Sequence, residues 1–127
     1  MVYRKFGGLT KDDISKIETD FNWLAERASN HSTLGELNSI FNNPGMEQIL
    51  MSNDKSTMMI FFSIMGDDEF SVDPIRQEIE LIRDKLVDSR NDELEVWLTG
   101  PAGILEDAVS VFLSIDFRIT ITSIILV

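Results

Sequence analysis

The sequence predicts an α+β sandwich of βαββαβ order, one antiparallel sheet backed by two helices, followed by a helix that leads out of it. Three observations carry that prediction. Helical periodicity fills two long stretches, short apolar or alternating runs lie before and after each, and the two kinds succeed one another along the chain. No repeat, low-complexity stretch or Pro/Ser-rich linker divides the 127 residues, a length that suits one domain with a real core.

Val2 to Phe6 reads as a short strand, ended by Gly7-Gly8. Thr10 then stands where an N-cap belongs, with Asp12 and Asp13 in the first turn, where the helix dipole favours negative charge. Ile14, Ile17, Phe21, Leu24, Ala25 and Ala28 follow at helical spacing. Between Ser32 and Phe41, Leu34, Leu37 and Ile40 recur every third residue, and a short strand near Leu37 is favoured over a short helix. Asn42-Asn43-Pro44-Gly45 is a turn, and Met46, Ile49 and Leu50 suggest a short helix or turn after it.

Ser52-Asn53-Asp54-Lys55 is turn-like and leads into a strand over Thr57–Met65. Its Met58-Met59-Ile60-Phe61-Phe62 run is apolar on both faces, as in a central strand covered on both sides. Gly66-Asp67-Asp68-Glu69 breaks that strand. Asp73-Pro74 pairs an N-cap with proline at the first helical position, and Ile75, Ile79, Ile82 and Leu86 form the buried stripe of the second helix. Arg76, Glu80 and Asp84 are left to solvent. Leu94 to Leu98 is the last strand, with Leu94, Val96 and Leu98 alternating against Glu95 and Trp97. The strand and helix order is that of a ferredoxin-like fold with both helices on one sheet face. Its other face would carry Trp97 with Tyr3 and with Met59 and Phe61, or else with Met58 and Phe62. Such an apolar face wants a cover, either from the exit helix or the Ile40–Met51 segment, or from another domain or an apolar ligand.

The formal net charge is -11, from 22 acidic and 11 basic residues, which argues against a nucleic-acid backbone as partner. No cysteine is present, which excludes disulfides, thiolate metal sites and cysteine nucleophiles. His31 is the only histidine, so sites built on two or three of them are excluded. Asp67-Asp68-Glu69 with Asp73 misses the calcium-loop spacing and reads as a solvated turn. Gly7-Gly8 lacks the phosphate-loop frame, and Thr99-Gly100-Pro101-Ala102-Gly103 has no flanking Lys or Arg to attract an anion. The methionines at 46, 51, 58, 59 and 65 are read as core filler, and as adaptable lipid-contact residues in the second place. No nucleophile–base pair, catalytic residue, metal site or cofactor site can be assembled, so the chain is expected not to be an enzyme.

The C-terminal quarter is the most distinctive part. The turn from Leu98 to Gly103 opens an apolar helical pattern that carries Asp107 and Asp116, passes Arg118 and ends in nine uncharged residues, Ile119–Val127. A spanning helix needs about twenty. Met1 to Lys5 has no signal-peptide character.

Thr99-Gly100-Pro101-Ala102-Gly103, Asp107, Phe112, Ile115-Asp116 and the apolar run resemble the MMPL branch of the RND transporter superfamily. Leu9-Thr10, Leu50 to Lys55 and Ile82-Arg83 agree with it, so the resemblance covers nearly the whole chain. It implies the first extracytoplasmic porter domain, between transmembrane helices 1 and 2, of an exporter driven by proton motive force. Residues 1–118 would be that domain and 119–127 the truncated start of a membrane helix. Thr99, Gly100, Pro101, Gly103, Asp107 and Asp116 would be structural and coupling residues, and Tyr3, Met59, Phe61 and Trp97 an apolar substrate or interface face. The implied partners are the second porter domain and transmembrane helices of the same transporter, and a lipid, amphiphile or drug, with homo-oligomers allowed. The implied location is the cell membrane, on its extracytoplasmic side. Without the resemblance, the residues fit a soluble ferredoxin-like regulatory or interaction module that dimerises through its open sheet face.

Overall fold

A computed structural model of the chain describes residues 1–30, 33–64, 73–91 and 93–100. Strand β1 (Val2–Lys5) leads through Gly7 and Gly8, both at positive φ, into α1 (Lys11–Asn30). β2 (Leu34–Asn38), a 3-10 turn (Pro44–Met46) and the four-residue α2 (Glu47–Leu50) follow. β3 (Thr57–Met59), β4 (Phe61–Ile64), α3 (Asp73–Ser89) and β5 (Leu94–Trp97) complete the described elements. The class is α+β, as the sequence predicts. His31, the Gly66–Glu69 turn, Pro101, Gly103, Asp107, Asp116 and the expected exit helix and apolar tail lie outside the described residues.

The strands form two antiparallel ladders, β3-β1-β5 and β2-β4. Where the sequence reads one strand over 57–65, the pairing changes at Ile60. Up to that residue the segment bonds to β1, in a register of Val2 with Met59, Tyr3 with Met58 and Arg4 with Thr57; beyond it, Phe61 and Phe62 pair with Asn38 and Leu37. Met1 and Ile60 extend the first ladder by exchanging backbone bonds of 2.7 and 2.9 Å. A register shift between Leu34 and Leu37 bends the second ladder.

Alternation then sorts the side chains. Tyr3, Met58, Leu94 and Val96 point inward, where they form one core with Ile17, Phe21 and Leu24 of α1 and Ile82 and Leu86 of α3. Of the expected helix stripes, Ile17, Phe21, Leu24, Ile79, Ile82 and Leu86 are buried, while Ile14, Ala25, Ala28 and Ile75 are half-buried. The expectation of a strand covered on both sides is corrected here: Met58 and Ile60 are buried, but Met59 is half-buried and Phe61, 52% exposed, and Ser63 leave the other face of the run open.

Local hydrogen bonding explains the helix starts and turns. The Thr10 hydroxyl accepts the Asp13 N–H at 3.3 Å while Asp13 Oδ2 accepts the Thr10 N–H at 2.8 Å, a reciprocal cap at the head of α1. Burial alone would raise the Asp13 pKa, but the Thr10 groups and Lys5 Nζ, 3.1 Å away, hold it below the usual range. In the 52–55 turn, Lys55 sits at a φ of 56°. Asp54 there accepts hydrogen bonds from the hydroxyls of Ser56 and Ser52 and from the Ser56 N–H, which lower its pKa to about 2. The Lys55 carbonyl accepts the Leu9 N–H at 2.9 Å and ties this turn to the segment that leads into α1.

The two long helices are joined by a bidentate ion pair. Arg27 Nε and Nη2 each lie 2.8 Å from a carboxylate oxygen of Glu78, and the Glu78 side chain is only 8% exposed. The guanidinium also sits 5.4 Å from the Trp23 ring centroid, and Lys85 Nζ 5.9 Å from it. Losing one partner of such a pair strands a buried charge, whereas an exposed i,i+4 pair such as Arg76–Glu80 contributes little. Arg27→Ala is expected to lower unfolding free energy by about 2–3 kcal/mol and Arg76→Ala by less than about 0.5 kcal/mol. Urea denaturation of both variants measures the contrast, and the joint change Arg27→Met, Glu78→Leu should recover most of the first loss.

Candidate functional site: an apolar cavity at the end of the sheet

The structure separates the four residues of the expected apolar face. Val2 stands in register with both Met59 and Trp97, so these three share the outer face of the sheet. Tyr3 is one residue out of phase and fully buried on the opposite side, which corrects its assignment to that face. Its hydroxyl donates to Asp20 Oδ2 at 2.8 Å, a bond between β1 and α1 inside the core. Burial, then the charge and hydrogen bond of Asp20, push the Tyr3 pKa far above the usual phenol range. It is a structural residue.

Met59 and Phe61, by contrast, border a cavity of about 250 Å³. Met1 and Val2 of the first ladder, Ile60, and Phe62 and Ile64 of β4 form its sheet side. Ile79 of α3 reaches it from the helix layer, and Leu98, Thr99 and Gly100 close it where the chain leaves β5. Thr99 is the one polar side chain in that described lining. Gly100 has a φ of 115°, a backbone state that favours glycine, and no neighbour crowds the place of a Cβ there. The first two residues of the Thr99–Gly103 motif thus belong to the cavity wall; the rest of the motif lies beyond the described residues.

Trp97 does not line this cavity. It is 40% exposed and stands between two surface grooves, one with Arg90, Asn91 and Glu95, the other with Arg83, Val87 and Leu98. Among the described residues no group of three or more metal-ligating side chains converges. What the cavity can do is accept an apolar group, with the Met59 thioether and the rings of Phe61 and Phe62 as adaptable walls.

A family model, the MMPL family, matches residues 7–127, which is nearly the whole length and includes the cavity wall from Met59 to Gly100. The chain belongs to the MMPL family. That makes it part of a larger RND/MMPL-type membrane transporter. No curated protein and no solved structure matches the chain. Among the described residues of this MMPL chain, no helix is long and apolar enough to cross a membrane.

In the 127-residue polypeptide, the α-amine of Met1, a residue of the cavity wall, titrates. The Met1 amine donates to the Ile60 carbonyl, and burial lowers its pKa from 8.0 to about 6. The fold therefore favours the neutral amine. The contribution of this amine to stability is complete above pH 8 and is lost as the pH drops toward 6, about 2–3 kcal/mol in all. Urea denaturation across that window measures the slope. Acetylation of Met1 should flatten it.

Proposed function

We propose that this chain is the extracytoplasmic porter domain of an exporter driven by proton motive force, and that it binds or guides lipids, amphiphiles or drugs. It would do so without chemistry of its own. In this reading residues 1–118 make up the domain, 119–127 begin a membrane helix, and the second porter domain and transmembrane helices of the same transporter are its partners. Family membership supports the transporter setting. The observation that carries the substrate role is the apolar cavity and its position. It lies against Thr99 and Gly100, at the start of the segment that the resemblance leads to the membrane.

Its size narrows what it would take. Sites that hold a whole small molecule run to about 300–1,000 Å³. At about 250 Å³ the cavity suits one acyl or aryl end of an amphiphile, while the polar end stays outside. Such binding would be driven by apolar area at about 25 cal/mol per Å² and would discriminate weakly among chains of similar width.

Because Gly100 lines the cavity, a ligand end lodged there would touch the same segment that couples the domain to the span. Thr99, Gly100, Pro101 and Gly103 would then set the path of that segment, and Asp107 and Asp116 would lie along it. Titration with a dansyl-labelled undecanoic acid tests the substrate role. Met59→Glu and Phe61→Glu should each weaken binding by about tenfold or more, since either sets a charge beside an apolar ligand. Equal affinity in wild type and both variants would reject the cavity as the binding place.

A further inference from the structure

Among the described residues β5 is an edge strand whose outer side is closed by two side chains, and the hydrogen-bond parity of β1 shows which groups they close. Met1 and Ile60 bond to each other through both backbone groups, and the Lys5 N–H donates to the Ser56 carbonyl. Met1, Tyr3 and Lys5 therefore turn their backbone groups toward β3, and Val2 and Arg4 turn theirs toward β5. Their register partners there are Trp97 and Glu95. The backbone groups of Leu94 and Val96 are left facing outward, where a further strand would pair.

Those groups are largely taken. The Leu94 N–H donates to Asn91 Oδ1 at 2.7 Å, and its carbonyl accepts the Asn91 N–H at 3.5 Å. The Val96 carbonyl accepts Nε and Nη2 of Arg90 at 3.2 and 2.8 Å. Arg90 thus spends its fork on a main-chain oxygen, and it takes part in none of the four ion pairs among the described residues. In a chain with twice as many acidic as basic residues, a carboxylate partner would be the easier choice.

We propose that Arg90 is a strand guard that keeps β5 from pairing with β5 of a second copy of this chain. The segment is complementary to itself. Laid antiparallel with Val96 opposite Val96, two copies exchange N–H and C=O through that residue, so the pairing needs the carbonyl that Arg90 holds. In that register Glu95 of one copy faces Trp97 of the other and Leu94 faces Leu98, so no like charges oppose each other. The guard role is independent of any transported substrate.

Sedimentation velocity on the 127-residue chain tests it against wild type at equal concentration. Arg90→Ala should tighten self-association by about tenfold or more. Trp97→Glu added to it should reverse the gain, because that exposed position would then oppose Glu95 of the second copy. Hydrogen exchange at Val96 should slow with concentration in Arg90→Ala alone. An Arg90→Ala chain that associates no more than wild type, with an unchanged circular dichroism spectrum, overturns the proposal. Association that persists after Trp97→Glu also overturns it, since the contact then lies elsewhere.

Discussion

Strand β1 holds the described fold together by giving alternate residues to two neighbours. Its odd positions bond to β3 and its even positions to β5, so four residues fix the register of the whole three-stranded ladder. That parity decides which side chains meet the helices. Tyr3 falls on the inner side and reaches Asp20 of α1, which ties the sheet to the helix layer at the centre of the core. A slip of one residue would send Tyr3 outward and bring Arg4 into the core. The cavity depends on the same register, because Met1 and Val2 reach it only when paired with Ile60 and Met59.

Much of this architecture was legible from pattern. The stripe of α1, the Thr10 cap, the stripe of α3 and the alternation in β5 each depend on neighbours along the chain, and local periodicity reports those. The phase between strands does not. Trp97 and Tyr3 both suit an apolar face, and only the pairing of Val2 with Trp97 shows that Tyr3 lies on the other one. The partner change at Ile60 was hidden for the same reason, since an unbroken apolar run says nothing of which strand lies beside it. Glu78 was hidden too. It stands next to Ile79 on a helix that reads as amphipathic, and its burial depends on Arg27, 51 residues away.

The candidate site divides along the same line. Met59 and Phe61 stood out as apolar residues in a strand, and Thr99 and Gly100 as a turn, but that the four enclose one cavity is a tertiary fact. Ile79 looked like ordinary stripe and Leu98 like a strand end, so neither carried a signal of its own. The chain's charge explains little of the site and more of the frame around it. Lys5 is shared between Asp13 and Glu93, and Arg27 is committed to Glu78, so scarce cations are placed where elements meet.

The two tryptophans fall on opposite layers of this arrangement. Trp23 lies on α1 under the cations of Arg27 and Lys85, and Trp97 lies on the outer face of the sheet. Intrinsic fluorescence from the chain is therefore a sum of two separate reports. Emission from Trp23 follows the contact between the long helices, and emission from Trp97 follows whatever approaches the sheet from outside. Replacing either one by phenylalanine yields a single-channel optical probe, and since no cysteine is present, an acceptor dye can be attached at any one chosen position.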